Sequence, residues 1–544
     1  MVHVQFNRTF AAVFNNYHTN MKKLILSAAT LLAASSAFAG GYLTNTNQSV
    51  AFLRNPARLA TFELDGAYSN PAGLAWLGEG WHFGFNIQNA AQTRNITSTY
   101  APFAYNAHHL GQDTKRYKGE ASAPIIPSFD IAYQKENWTL SAHFGITGGG
   151  GKATFNEGLP MFESQVAFAN ASTIQAVNGI NRLVVGLKDF IQATGKPLGT
   201  IPTPKSYDFE TYMSGRQYIF GLQMGMTYKI FDNVGDLKQG LSAHLGARMN
   251  FASNAYEGYM RNMKVTMPKD NKFSLGDYMN YAANNSKKTA DYLNHIADHP
   301  MLAEQAEMLK QSAKTLAGAA EELEFGATRL KNEVALDCTQ KGWGIAPILG
   351  LDYRIGNLNV GARYEFKTKM NIENKTKVNT TGSEDFADGV NTPNDIPSIL
   401  AIGTQYNILD KVRVMAGWNC YFDKNAGMNG GKEKLLRHNT HEITAGAEWD
   451  INDRLTVSGG YQNTDYGASD AFQSDLSFHC DSYSLGFGAK MKLRKNLSVE
   501  AAYFWTNYKD YTKATDNYNG THIAGKDVLG RTNRVFGLGI NYSL

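Results

Sequence analysis

Charge is scarce in this chain of 544 residues: only 18% are Asp, Glu, Lys or Arg, and 52 basic residues nearly balance 48 acidic ones. A net charge of +4 is too mild to point to a nucleic-acid partner. Long apolar runs are missing as well. A membrane helix needs about 20 consecutive apolar residues, and a mean hydropathy of −0.35 excludes a bundle of such helices. Cysteine is nearly absent, and Cys338, Cys420 and Cys480 fit neither a disulfide framework nor a metal-ligand spacing. Glycine (52) and aromatic residues (29 Phe, 28 Tyr, 7 Trp) are what the chain has in quantity. So many aromatics could not stay solvated in a disordered chain. The length suits about three or four soluble domains, or one large β-barrel, a fold that overrides that rule.

The first clear signal is for export. Met21-Lys22-Lys23 opens a positive stretch, Leu24 to Ala34 is a short apolar core, and Ala37-Phe38-Ala39 fits the small-x-small cleavage rule. Residues 21–39 are therefore expected to be a signal peptide and Met21 the start of translation, with 1–20 an upstream extension. The apolar core is too short for an anchor helix.

Beyond Trp76 the chain settles into short stretches with a two-residue period. Leu497, Val499, Ala501, Tyr503 and Trp505 alternate with Ser498, Glu500, Ala502, Phe504 and Thr506, and the same pattern recurs at 411–423 and 357–370. This is the signature of β-strands with one apolar and one small or polar face. Fourteen such stretches occur between 80 and 544, the second and third near 127–135 and 138–147. Their connections alternate between tight turns, such as Ile355-Gly356-Asn357, and long loops at 95–126, 148–215, 255–340, 371–395, 424–439, 466–477 and 510–530. An even strand number with short turns at one end and long loops at the other predicts an all-β membrane protein, a 14-stranded antiparallel transmembrane β-barrel. The long loops would then be extracellular. A soluble sandwich or propeller has no reason to sort its loops this way.

Two long loops carry helical signals. Leu302, Ala306, Leu309, Ala313, Leu316, Ala320, Leu323, Ala327 and Leu330 recur at steps of four and three, and Tyr278 to Ile296 keeps a similar spacing. Helical inserts are expected at about 160–195 and 273–333. Their apolar faces either pack on one another or form a landing groove for a hydrophobic ligand.

Between the cleavage site and the first strand lie residues 40–78, with two Asn-Pro-Ala tripeptides, Asn55-Pro56-Ala57 and Asn70-Pro71-Ala72. Proline fixes its own φ and restricts the residue before it, so each tripeptide is a stiff bend. A polar, bent segment cannot lie in lipid, but it can sit inside a lumen and close it.

A signal peptide, a plug of this length ending in Asn70-Pro71-Ala72-Gly73, and fourteen strands together resemble the FadL/TodX-type outer-membrane transporters of long-chain fatty acids and other hydrophobic compounds. The stretches Gly40 to Gln48 and Val50 to Arg58, the strand start Asp395-Ile396-Pro397-Ser398 and the ending Arg534 to Tyr542 are similar to members of that family. The resemblance covers the chain by architecture, with its motifs concentrated in 40–78. It implies passive transport: an N-terminal hatch (40–78) blocks the barrel (79–544), hydrophobic cargo shifts it, and a kinked third strand lets the cargo leave sideways into outer-membrane lipid. Only Asn70, Pro71 and Ala72 match the hatch motif directly, and Asn55-Pro56-Ala57 duplicates it. The run from Gly145 through Gly148 and Gly149 suits such an opening, or a flexible lead into the next loop. The chain ends in Leu544 where the family usually has an aromatic residue.

Inward-pointing Met415, Tyr421 and Phe504 are candidate lumen contacts for an apolar cargo. Arg363 and Arg413 would meet a carboxylate, or form lumen ion pairs with Glu365, Glu442 or Glu448, which is the preferred reading. A monomer is expected. The alternatives are a general or sugar-type porin and a lipid-modifying barrel enzyme. No catalytic set, metal site or cofactor is expected: G-x-S-x-G and H-E-x-x-H do not occur, His108-His109 has no spaced carboxylate, and the phosphate-loop-like run Gly145 to Lys152 is followed by Ala153 instead of Ser or Thr.

Overall fold

The computed structural model describes residues 42–186 and 199–544. The expected signal peptide (21–39), the extension before it and the last part of the first helical insert lie outside those residues. Fourteen long strands close an antiparallel barrel. They are β1 (Gly80–Tyr100), β2 (Thr114–Lys135), β3 (Trp138–Phe155), β4 (Ser206–Val234), β5 (Gln239–Thr266), β6 (Val334–Ile355) and β7 (Leu358–Glu365). The other half of the wall is β8 (Ile399–Leu409), β9 (Val412–Tyr421), β10 (Thr440–Asp450), β11 (Leu455–Asp465), β12 (Ser482–Arg494), β13 (Leu497–Tyr508) and β14 (Gly525–Ser543). Four short strand segments, Lys272–Ser274, Asn371–Asn379, Asn391–Pro393 and Tyr511–Thr515, extend the wall at the long-loop rim.

Closure is complete because β1 pairs with both β2 and β14, setting Phe85 opposite Phe129 on one side and Ile540 on the other. Among the described residues no long strand is left at a free edge. The terminal Leu544 takes part: its N–H donates to the Trp81 carbonyl at 2.7 Å and its carbonyl accepts from Trp81 N–H.

The alternation has the expected physical sense. Phe83, Ile87, Phe129, Ile131, Leu140 and Phe144 are exposed on the outside, and Trp81, Trp138, Tyr228 and Trp449 stand exposed towards the short-turn rim. Such an apolar belt with an aromatic girdle is what a barrel wall shows to lipid. Inside, Asn86, Gln88, His143, Gln223, His244 and Asn250 are buried. No helix among the described residues is long and apolar enough to cross a membrane.

Strands β1 to β5 rise further than their apolar pattern suggests. Residues 95–100, 114–126 and 148–155, expected in loops, continue the wall. There the pattern inverts: Ile96 and Tyr100 point inward to a buried cluster, while Thr97 and Thr99 face outward. That cluster is the core of a helical cap. α3 (Pro160–Gly186), α4 (Leu275–Ala297) and α5 (Ala306–Leu330), numbered after the two short helices inside the barrel described below, pack on one another and on the strand tops. The heptad positions Leu309, Ala313, Leu316, Ala320, Leu323 and Ala327 are buried, so the seam is used for packing. α5 begins at Ala306, and Leu302 belongs to a short turn before it.

Candidate functional site

Residues 42–77 lie inside the barrel, folded into a single-turn helix α1 (Val50–Arg54), a shorter α2 (Gly66–Ser69) and a tight turn at Pro71–Trp76. Ser49 caps α1, its hydroxyl accepting from Phe52 N–H at 3.0 Å. Both Asn-Pro-Ala bends are pinned. Asn70 donates to Thr61 O and to Asp352 of β6, while Pro71 O accepts from Thr227 and Ala72 O from Ser242. Asn55 accepts from Ala57 N–H and reaches the Met415 sulfur at 3.3 Å. Asn55 and Pro56 press on the wall at Gly446 and Gly460, where a Cβ would stand 2.0 Å from Asn55 and 2.5 Å from Pro56. Glycine in these strands is a seat for the lumen segment.

Charge holds one flank. Arg54 bonds Glu448 (2.6 Å), Glu500 (3.0 Å) and Glu63 (2.9 Å), and Arg58 bonds Asp65, Glu63 and Glu448. Lys490 reaches Glu63 from the wall, and Arg413 spans Glu448 and Asp450. Removing one partner of such a buried set strands the others without compensation. Below it, clefts of about 200, 220 and 260 Å³ open around Phe62 at the short-turn rim.

The opposite flank is built differently. The β2–β3 ladder runs from Gly119/Phe155 to Ser122/Lys152, breaks, and resumes at Phe129/Phe144. On the β2 side of the break stand Pro124 and Pro127, which have no N–H to offer. On the β3 side the backbone bulges twice against β4, between Ile146 and Gly148 and between Gly149 and Gly151, with Gly149 at φ +87° and Gly151 at φ +78°. Those left-handed angles are why the run is glycine. Gly145, Gly148 and Gly149 therefore sit at an interruption of the wall.

The start of this lumen segment covers the break as a strap, residues 42–49. Asn45 N–H donates to Thr147 O at 2.8 Å, while the Asn45 and Gln48 side-chain amides donate to Ile146 O. Ser128 donates to Gln48 O from the β2 side. The strap thus supplies the partners that the sheet lost. It also lies close: a Cβ on Gly148 would be 2.1 Å from Leu43 O, and one on Gly145 2.4 Å from the Gln48 side chain. Ala123, Ile126 and Ile146 at the break join Val50, Phe52, Leu53, Phe504 and Val535 in one apolar cluster.

At the long-loop end the strap is held by rings. Tyr42 donates to Tyr466 O at 2.7 Å and packs on Tyr466, Phe472 and His479. Burial, then the nearby Arg531, Arg94 and Lys432, push His479 well below the ordinary imidazole value, and burial takes Lys432 down to about 8.

The candidate contact residues are all engaged with the lumen segment or with wall carboxylates. Phe504 meets Phe52 of α1. Met415 meets Asn55, and Tyr421 donates to Glu442. Arg413 has the expected Glu448 partner. Arg363 instead lies over the Tyr68 ring and donates to Tyr68 O, while Glu365 is taken by Arg248. His108 meets Asp208 at an exposed position, and the three cysteines are free thiols. No cluster of three or more His, Cys, Asp or Glu placed to hold a metal ion occurs among the described residues. Gln48, Asp130 and His143, and the prolines of β2, Pro124 and Pro127, carry no signal in single-strand patterning.

No family model and no curated protein sequence matches the chain. Solved structures do. A FadL homologue of Pseudomonas aeruginosa is similar over 93% of this chain and 100% of its own, with 12% identity and a TM-score of 0.54. The toluene transporters TodX of P. putida (12% identity, 89% of this chain, 94% of that one, TM-score 0.44) and TbuX of Ralstonia pickettii (13%, 90%, 98%, 0.44) lie further off.

Proposed function

We propose that this chain, which has the fold of that FadL homologue, is an outer-membrane channel for hydrophobic small molecules, long-chain fatty acids or similarly apolar compounds. Cargo is released sideways into the membrane. The observation that carries the reading is the break in the β2–β3 ladder, lined by Ala123, Ile126 and Ile146 and covered by a strap held there by amide hydrogen bonds. An apolar cargo gains about 0.8 kcal/mol per buried CH₂, so a relay of small apolar sites can pass it on without an energy source. A lumen filled from wall to wall by an ion-paired hatch supports this over an open porin. We further propose that residues 21–39 direct export, that 40–78 act as the hatch and that the monomer is the working unit.

The test is uptake of a fluorescent fatty acid by proteoliposomes. A variant lacking Thr147 and Gly150, which takes one residue from each bulge of β3, is expected to fold as a barrel and lose uptake. Uptake at the wild-type rate would overturn the lateral route.

A further inference from the structure

His143 of β3 and Asp130 of β2 flank the lower end of the break, both buried. His143 Nδ1 stands 2.8 Å from Asp130 Oδ1, and His143 Nε2 stands 3.2 Å from Gln48 Oε1 of the strap. The Gln48 amide cannot turn over to suit the ring, because its nitrogen already donates to Asn45 O (2.9 Å) and Ile146 O (2.8 Å). Its oxygen can only accept. His143 Nε2 must therefore carry a proton. A second proton must lie between Nδ1 and Asp130, since two acceptors cannot face each other at 2.8 Å. The pair holds two protons and no net charge, as imidazolium and carboxylate or as imidazole and carboxylic acid.

We propose that His143 and Asp130 are positioning residues that keep the strap over the break by holding two protons between them, and that losing one releases Gln48. After that loss the remaining proton bridges Nδ1 and the carboxylate, and the bare Nε2 faces the Gln48 oxygen, a lone pair against a lone pair. The departing proton has a path, because Asp130 lines the cleft of about 200 Å³ at the short-turn rim. The other ionisable groups around the pair are committed elsewhere. Tyr68 packs on the His143 ring and carries Arg248 and Arg363 on its own; Arg248 is paired with Glu365. Asp65 and Glu500, the carboxylates whose charge acts on Asp130, are paired with Arg58 and Arg54, and Asn86 lies 3.5 Å from Asp130. The inference rests on the lateral-release reading only for its consequence; the proton count stands on the hydrogen-bond geometry.

The experiment is hydrogen exchange of the full chain in cargo-free nanodiscs at about pH 5.5 and about pH 8.5, with rates corrected for intrinsic exchange. Peptides spanning 42–49 are expected to lose roughly tenfold protection at the higher pH, while peptides of β10 and β11 stay unchanged. In Asp130→Asn the amide can donate to Nδ1 and fix the Nε2–H form, so the strap stays protected at both pH values. His143→Gln is likewise expected to be independent of pH and serves if the first variant does not fold. Equal wild-type protection at both pH values, or a wild-type loss in both variants, overturns the proposal. Absence of fatty-acid uptake would sink the transport reading and leave this readout untouched.

Discussion

Arg54 of the hatch and Glu448 of β10 stand 2.6 Å apart with both side chains buried, half-way round the barrel from the broken strand β3. The hatch is thus tied by charge on one side and by neutral amides on the other. Those two attachments differ in strength, since breaking a buried ion pair by removing one partner costs about 3–5 kcal/mol. Arg54→Ala leaves Glu448 and Glu500 facing each other with one cation fewer. It is expected to lower the stability of the hatch by that order and to produce frequent ion-conducting openings in planar bilayers. A silent channel with wild-type thermal stability would show that the network is not what holds the hatch.

Deleting residues 40–72 removes Arg54 and Arg58 together with both Asn-Pro-Ala bends. The wall itself closes through β1, β2 and β14 without them. The truncated chain is therefore expected to assemble as a barrel and to conduct ions steadily. Leakage equal to that of the full chain would contradict a lumen-closing role for this segment.

Pro124 and Pro127 withhold two N–H donors at the break. Replacing both by Val restores those donors and adds residues that favour strands. The double variant is expected to zip the β2–β3 ladder further, to raise amide protection at residues 145–148, and to slow fatty-acid uptake severalfold. If protection rises and uptake does not fall, cargo leaves by another path.

The barrel was legible because lipid and lumen impose opposite demands on alternate residues, as in Leu497 to Thr506. Above the lipid that contrast fades: Ile96 and Tyr100 are apolar where the wall faces the cap, and Thr97 and Thr99 face outward. The strand tops therefore read as loops. The heptads of α5 were equally plain, because one face packs and the other is wet. The break in the wall was only half visible. Glycine at 145, 148 and 149 marked the β3 side, but the β2 side fell in an expected loop, and a ladder register belongs to two strands at once. In the Gln48–His143–Asp130 chain, Asp130 and His143 are cross-strand partners of the β2–β3 ladder and Gln48 reaches them only when residues 42–49 dock, which no periodicity records.

In the cap, Asp475 accepts a hydrogen bond from Met161 N–H at 2.7 Å and so ties the loop before β12 to the start of α3. Burial, with Asp527 beside it, pushes this carboxyl from 3.8 up to about 7. A raised carboxyl is one that the folded state prefers protonated. Its contribution to stability is therefore full at acid pH and falls as pH rises from 3.8 towards 7, the folded state binding more protons than the unfolded one throughout that window. Asp475→Asn keeps an acceptor for Met161 N–H and removes the titration. Protection of the first turns of α3, followed by hydrogen exchange with intrinsic rates divided out, is expected to decline across this window in the wild type and to stay level in the variant. A parallel decline in both would place the pH dependence in some other group of the cap.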